Sequence, residues 1–116
     1  MKRRVVVTGM GLVSPVGNTV EESFNNLIAG KNGIDMITFY DVSDWKVKLA
    51  GEVKNLNFED FLDKKEIKRA DRATNLALVA THEAYQQAKL EGVELNRKRF
   101  GTFIGSGIGG LTTIFE

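Results

Sequence analysis

The sequence predicts an α/β fold with a partly parallel sheet, and three observations predict it. Val5-Val6-Val7 is β-branched and apolar on both faces, as in a central strand covered by helices. An alanine-rich stretch in the second half has helical spacing. A second apolar run, Phe100 to Gly105, is followed by a glycine-rich loop and the start of another helix. Strands alternating with helices are the pattern of a sheet with helical crossovers.

Taken in order, Arg4 to Gly9 reads as a buried strand ended by glycine. Gly9, Gly11, Pro15 and Gly17 then keep Met10 to Asn18 out of a helix. A helix follows with Thr19 as N-cap and Glu22 as its capping-box partner. Phe24, Leu27 and Ile28 form its apolar stripe, and Gly30 provides a left-handed stop. Residues 31–57 lack a helical period; Ile34 to Tyr40 and Val47 to Val53 read as loop, short strand, loop. Asn57 to Asp60 reads as a short capped turn. Asp63 and Glu66 form a second capping pair, opening a helix predicted to run to about Leu90 and to end at Gly92. Its face of Ala73, Leu76, Ala77, Ala80, Ala84 and Ala88 is alanine-rich and suits a tight approach to a sheet or another helix. Phe100 to Gly105 is the second strand, and Leu111 to Glu116 opens a helix. Natural domains seldom stop one turn into a helix, so the 116 residues are expected to be part of a longer chain.

Composition narrows the function. A net charge of +1 provides no global field for nucleic acid or membrane binding, so any electrostatic role must come from local clusters. The absence of cysteine excludes disulfides and thiolate metal sites within this sequence. Met1-Lys2-Arg3-Arg4 and the valines look like the start of a signal peptide, but the apolar run breaks at Thr8-Gly9. No stretch approaches the ~20 apolar residues of a membrane span. A soluble intracellular protein is the expectation.

Three constellations carry candidate chemistry. Gly9-x-Gly11-x-x-Ser14 has part of the dinucleotide-binding spacing, yet Pro15 and Gly17 prevent the helix that would hold a pyrophosphate; a structural turn fits better. Gly105-x-Gly107-x-x-Gly110 has the strand before and the helix after. It admits close packing, a ligand-facing loop or a nucleotide site, whose acidic ribose partner would lie about 20 residues on. Lys65, Lys68, Arg69 and Arg72 fall at i, i+3, i+4 and i+7, one face of a continuous helix. They read either as a solvated face moderated by Glu66 and Asp71 or as a site for an anionic partner. For an arbitrary protein the solvated face is the plainer reading; placed near a helix N-terminus, against the macrodipole, the stripe is slightly more suggestive of an anionic partner than one at a C-terminus. His82, the single histidine, has no nucleophile pattern around it and reads as structural. No catalytic residue and no metal site is predicted in this segment.

These blocks together resemble one family. Arg3 to Asn18 (RRVVVTGMGLVSPVGN) is similar to the opening of the β-ketoacyl-[acyl-carrier-protein] synthases, and Ser14 to Asn18 resembles the type II enzymes more than type I. Leu27 to Ile34 (LIAGKNGI), the basic helix start from Lys65 to Asp71, and Gly105 to Gly110 resemble three further family blocks in the same order. The resemblance implies a thiolase-like fold of five layers, α/β/α/β/α, with residues 1–116 the first part of its N-terminal half. It implies a cytoplasmic homodimer that needs no organic cofactor. Such enzymes move an acyl group from acyl carrier protein to a cysteine, then condense it with malonyl-ACP after decarboxylation, with two histidines assisting. The cysteine and both histidines lie downstream in the family, and His82 matches neither. Carried over by position, Lys65, Lys68 and Arg69 dock the acidic helix of acyl carrier protein. Gly107 and Ile108 line the acyl pocket, with the Ile108 rotamer as a gate for chain entry. Chain-length preference is not readable from one wall of that pocket.

Two other readings stand beside it: a non-catalytic ketosynthase-like module that binds acyl carrier protein, and an unrelated nucleotide-binding α/β domain. If the family reading holds, the isolated 116 residues are inactive in condensation and poorly stable, because sheet edges and helix faces are left uncovered. A cooperative melting transition of the isolated chain with native-like amide dispersion would refute the second half of that expectation.

Overall fold

A computed structural model describes residues 2–115. The chain divides into two compact units, Leu12–Asn57 and a second formed by Met1–Gly11 with Phe58–Glu116.

In the first unit, α1 spans Val20–Ile28. Thr19 caps it: its hydroxyl accepts the Glu22 N–H at 3.1 Å. The return bond of the capping box lands one residue early, with the Asn18 N–H donating to the Glu22 carboxylate at 2.7 Å. Gly30, at φ +69°, supplies the left-handed stop. The helix does not pack by its apolar stripe, however. Phe24, Leu27 and Ile28 are exposed, while Ser23 is wholly buried. The reason is local. Ser14 and Gly17 close a tight turn through paired backbone bonds of 2.8 and 3.2 Å. The Ser23 hydroxyl donates to Gly17 O at 3.1 Å, and the Asn26 amide to Val16 O at 2.5 Å. Only a small polar side chain lets the turn come this close: a Cβ on Gly17 would stand 2.6 Å from the Ser23 nitrogen.

Strands β1 (Ile34–Met36) and β2 (Leu49–Gly51) form an antiparallel pair with Ile34 opposite Gly51 and Met36 opposite Leu49. They fall inside the two apolar stretches, where loop, short strand, loop predicts one strand and the structure has a pair. Gly33 and Gly51 flank Pro15, where added Cβ atoms would meet the ring at 2.9 Å. Beyond the strands, the buried Glu52 carboxylate binds the returning chain. It accepts the Thr38 hydroxyl at 2.7 Å, the Thr38 N–H at 3.0 Å and the Phe39 N–H at 3.2 Å.

In the second unit, Phe58–Asp60 form a 3₁₀ turn, followed by α2 (Lys64–Arg69), α3 (Arg72–Gln87) and α4 (Leu111–Phe115). Two expectations are corrected here. The helix opening at Asp63 is broken at Ala70 and Asp71, both extended, and Asp71 starts α3 by accepting the Ala73 N–H at 2.9 Å. A strong N-cap residue after a six-residue helix restarts the helix in a new direction. The C-terminal end is set by Lys89 at φ +54°, ahead of Gly92. Its N–H bonds to Gln86 O at 3.0 Å and closes the last turn.

The alanine face of α3 does receive a close neighbour. A Cβ on Gly9 would strike the carbonyl of Ala84 and lie 2.9 Å from Ala88 N; one on Gly11 would strike the carbonyl of Ala80. The Met10 N–H, between them, donates to the Gln87 side chain at 2.6 Å. The expected strands at Arg4 to Gly9 and Phe100 to Gly105 make no ladder among the described residues, where the one sheet is β1–β2. A strand exists only through a partner's hydrogen bonds. Here Val5 is 93% and Phe103 97% exposed, and among the described residues neither segment is paired in a ladder.

Two tests follow from this packing. In the intact protein, Gly11→Ala should cost about 2–3 kcal/mol, because α3 backbone cannot give way. Gly92→Ala, in open space at φ +74°, should cost about 1 kcal/mol; denaturation midpoints compare them. The second concerns Glu52. Burial is the largest single influence on its carboxyl and pushes the pKa up. The Thr38 and Phe39 donors, with the charge of Lys54, together outweigh it and hold the pKa below the ordinary glutamate value. A folded pKa below the unfolded one means that the stabilisation is complete above the unfolded value and disappears as pH falls through the folded one. Glu52→Gln should therefore flatten the acid limb of the stability–pH profile, and carboxyl NMR should find Glu52 titrating below a peptide glutamate.

Candidate functional site

The residues with chemistry to offer lie in the second unit, around the first turn of α3. Lys65, Lys68 and Arg69 project from α2 at i, i+3 and i+4, all exposed. Among the described residues none of the three has a carboxylate within 4.0 Å, whereas the neighbouring Lys64 is paired with Glu59 at 3.2 Å. Arg72 does not share their face. The helix break sends it over the Phe58 ring, 5.6 Å from the centroid. The break also reverses the macrodipole argument: Lys68 and Arg69 stand in the last turn of α2, where cations are favoured. The case for an anionic partner rests instead on three exposed cations gathered on one short helix, with no ion pair among the described residues.

The corner between α2 and α3 is held from within. Asn75, 3% exposed, donates its amide to Ile67 O at 3.2 Å and Ala70 O at 3.4 Å, gripping the C-terminal end of α2. On the other side of the same turn, the Thr113 hydroxyl of α4 donates to the second carboxylate oxygen of Asp71 at 3.0 Å. Neither Asn75 nor Thr113 was singled out from the sequence, and Asp71 was read only as moderating charge. Asp71 carried a usable signal, as a cap residue directly before a run of good helix formers.

The glycine loop differs from the Gly9–Gly11 turn despite the shared spacing. Cβ atoms on Gly105 or Gly107 would meet nothing within 4 Å. Gly107 and Ile108 form an exposed bend, with Ile108 69% exposed. Gly109 and Gly110, both at positive φ, return the chain to α4. A cleft of about 470 Å³ lies between the loop and α3, lined by Ala73, Ala77, Leu78 and Ile104 with Thr74 and Ser106; neither Gly107 nor Ile108 lines it. His82 stacks edge-on against Phe61 at 5.8 Å, a structural contact. Among the described residues no group of three or more His, Asp or Glu side chains could hold a metal, and no helix is long and apolar enough to cross a membrane.

Comparison with known proteins identifies the family of the chain. Residues 2–115 match the family Beta-ketoacyl synthase, N-terminal domain. The chain belongs to the β-ketoacyl synthase family. It is 51% identical over 111 residues to 3-oxoacyl-[acyl-carrier-protein] synthase 2 of Staphylococcus aureus (strain COL), an overlap of 96% of this chain and 27% of that protein. It is 46% identical over 113 residues to the protein of the same name from a Synechocystis species, covering 97% of this chain and 27% of that one. Among solved structures, the ishigamide ketosynthase/chain length factor is similar with a TM-score of 0.71 and 32% identity, over 78% of this chain and 22% of that chain. The fold is ketosynthase-like, and the chain spans about a quarter of the length of its curated relatives, 27% in both cases. The nucleotide-binding alternative loses its footing at the first glycine pair, whose open side is filled by α3.

Proposed function

We propose that residues 1–116 are the N-terminal segment of the ketosynthase N-terminal domain in a condensing enzyme of fatty acid synthesis. The whole protein then has the five-layered thiolase-like architecture, works as a cytoplasmic homodimer, and takes acyl and malonyl groups from acyl carrier protein. The reaction is decarboxylative Claisen condensation. A cysteine thiolate outside this segment attacks the carrier thioester, releasing the carrier thiol and forming an acyl-cysteine. Malonyl-ACP loses CO₂, its carbanion attacks the acyl-cysteine carbonyl, and the thiolate leaves. The product is a 3-oxoacyl-ACP longer by two carbons (the part of malonyl that remains). Histidines from the rest of the protein stabilise the developing oxyanion. No organic cofactor enters this scheme.

The segment's share is recognition. The observation that carries this reading is that Lys65, Lys68 and Arg69 are exposed together on one short helix, with no ion pair among the described residues, in a chain of this family. Three positive side chains on one face of a short helix complement an acidic partner helix and speed its association in a salt-dependent way. Gly107 and Ile108, on a loop with open space around its glycines, form one wall of the acyl pocket, with Ile108 as the gate.

Charge reversal of Lys65, Lys68 and Arg69 in the full-length enzyme tests the docking role. The Kd for acyl carrier protein should rise by about tenfold or more, and its salt dependence should flatten. Turnover of a small acyl thioester without a carrier should be unchanged. Unaltered carrier affinity would refute the assignment.

A further inference from the structure

The α2–α3 corner joins the candidate docking helix to the candidate gating loop, and the Asp71 carboxylate takes part in the join. α2 has six residues and reaches α3 through only Ala70 and Asp71, both extended. Its C-terminal carbonyls, Ile67 O and Ala70 O, are held by the buried Asn75 amide. α2 therefore cannot shift without moving the first turn of α3. Asp71 is the N-cap of that turn. One carboxylate oxygen accepts the Ala73 N–H at 2.9 Å, and the other accepts the Thr113 hydroxyl at 3.0 Å. Gly110 lies against the same carboxylate: at φ +80°, its missing Cβ would stand 3.6 Å from Asp71 Cγ. The loop carrying Ile108 is thus anchored at its C-terminal end to the residue that positions the basic helix.

We propose that Asp71 and Thr113 are positioning residues that couple carrier docking on α2 to the setting of the Ile108 loop. A hydrogen bond to a carboxylate is stronger than one between neutral groups and is directional, so it transmits a rotation of the corner that loose apolar contact would absorb. An acidic partner pulling on Lys65, Lys68 and Arg69 turns the corner about Asp71 and changes the hold on α4 and the loop. An acyl chain delivered by the carrier then meets a loop set differently from one met by the same chain on a small thioester. The inference rests on the docking and gating roles proposed above.

The test uses the full-length enzyme and one acyl group on two donors, acyl carrier protein and a small pantetheine thioester. Thr113→Val removes the hydroxyl at constant shape, Thr113→Ser restores it, and Asp71→Asn keeps the helix cap while removing the charge. The readout is the ratio of kcat/KM for the carrier-borne donor to that for the small donor. Thr113→Val and Asp71→Asn should each lower this ratio about three- to tenfold. Thr113→Ser should restore it, the double variant should be no worse than either single one, and carrier Kd in Thr113→Val should shift by no more than the ratio does. An unchanged ratio in Thr113→Val, or additive losses in the double variant, would overturn the coupling. Ile108→Trp separates this failure from that of the underlying reading. If it shortens the accepted acyl chain while the ratio ignores Thr113→Val, the gate stands and the coupling falls. If Ile108→Trp leaves the chain-length profile unchanged, the gate falls and the coupling falls with it.

Discussion

The contact on which the second unit depends is made by atoms that side chains would exclude. Gly9 and Gly11 bring an extended backbone onto α3 at Ala80, Ala84 and Ala88, so near that a methyl group on either glycine would enter a helix carbonyl or amide. The contact needs both halves: glycine in the N-terminal segment and alanine at every fourth residue on the helix side. Dispersion at such short range is the gain, and it falls steeply with a gap of even half an ångström. The segment is also fixed along α3, because the Met10 N–H finds the Gln87 side chain. With Gly9 and Gly11 committed to the helix, Val5, Val6 and Val7 remain exposed, as do Phe103 and Ile104. These are large apolar surfaces of the kind that sheets cover with further strands.

The first unit is organised by a different means. Val42 is its one buried hydrophobic residue among those described, and its tight places are polar. Ser23 and Asn26 hold the Ser14–Gly17 turn, Asn18 ties Lys54 and Asn55 through their carbonyls, and Glu52 gathers the Thr38 and Phe39 donors. Apart from the Thr38 hydroxyl bond, each satisfies a backbone group of this loop-rich segment. Such a unit is specific in shape, yet it buries little apolar surface from which to draw stability.

What the sequence made legible is what local chemistry decides. The Thr19 cap, the Gly30 stop, the alanine face and the basic residues of α2 all depend on neighbours within a few positions, and all are where their residue types put them. The continuous helix from Asp63 to Leu90 was misread because the hydrophobic period runs through Ala70, while the Asp71 cap interrupts it. Periodicity sees which side is apolar and not whether the axis turns. The apolar stripe of α1 was misread for a related reason. Phe24, Leu27 and Ile28 do share a side, but the turn docks on the polar side, through bonds formed by Ser23 and Asn26 that no pattern of hydrophobicity reports. Of the candidate site, the charged surface was legible and its support was not. Asn75 and Thr113 act through partners eight and forty-two positions away, Ile67 and Asp71.

The two glycine pairs show how far a motif carries by itself. Gly9-x-Gly11 and Gly105-x-Gly107 have the same spacing after similar apolar runs, and both state that something must come close to the backbone. At the first pair that something is α3, which fills the space that Cβ atoms would need. At the second the space is open, the bend is exposed, and a cleft lies beside it. A glycine pattern therefore marks an approach without naming the visitor. The approach at Gly9 and Gly11 is filled by α3 and belongs to the scaffold, whereas the described residues leave the one at Gly105 and Gly107 unfilled.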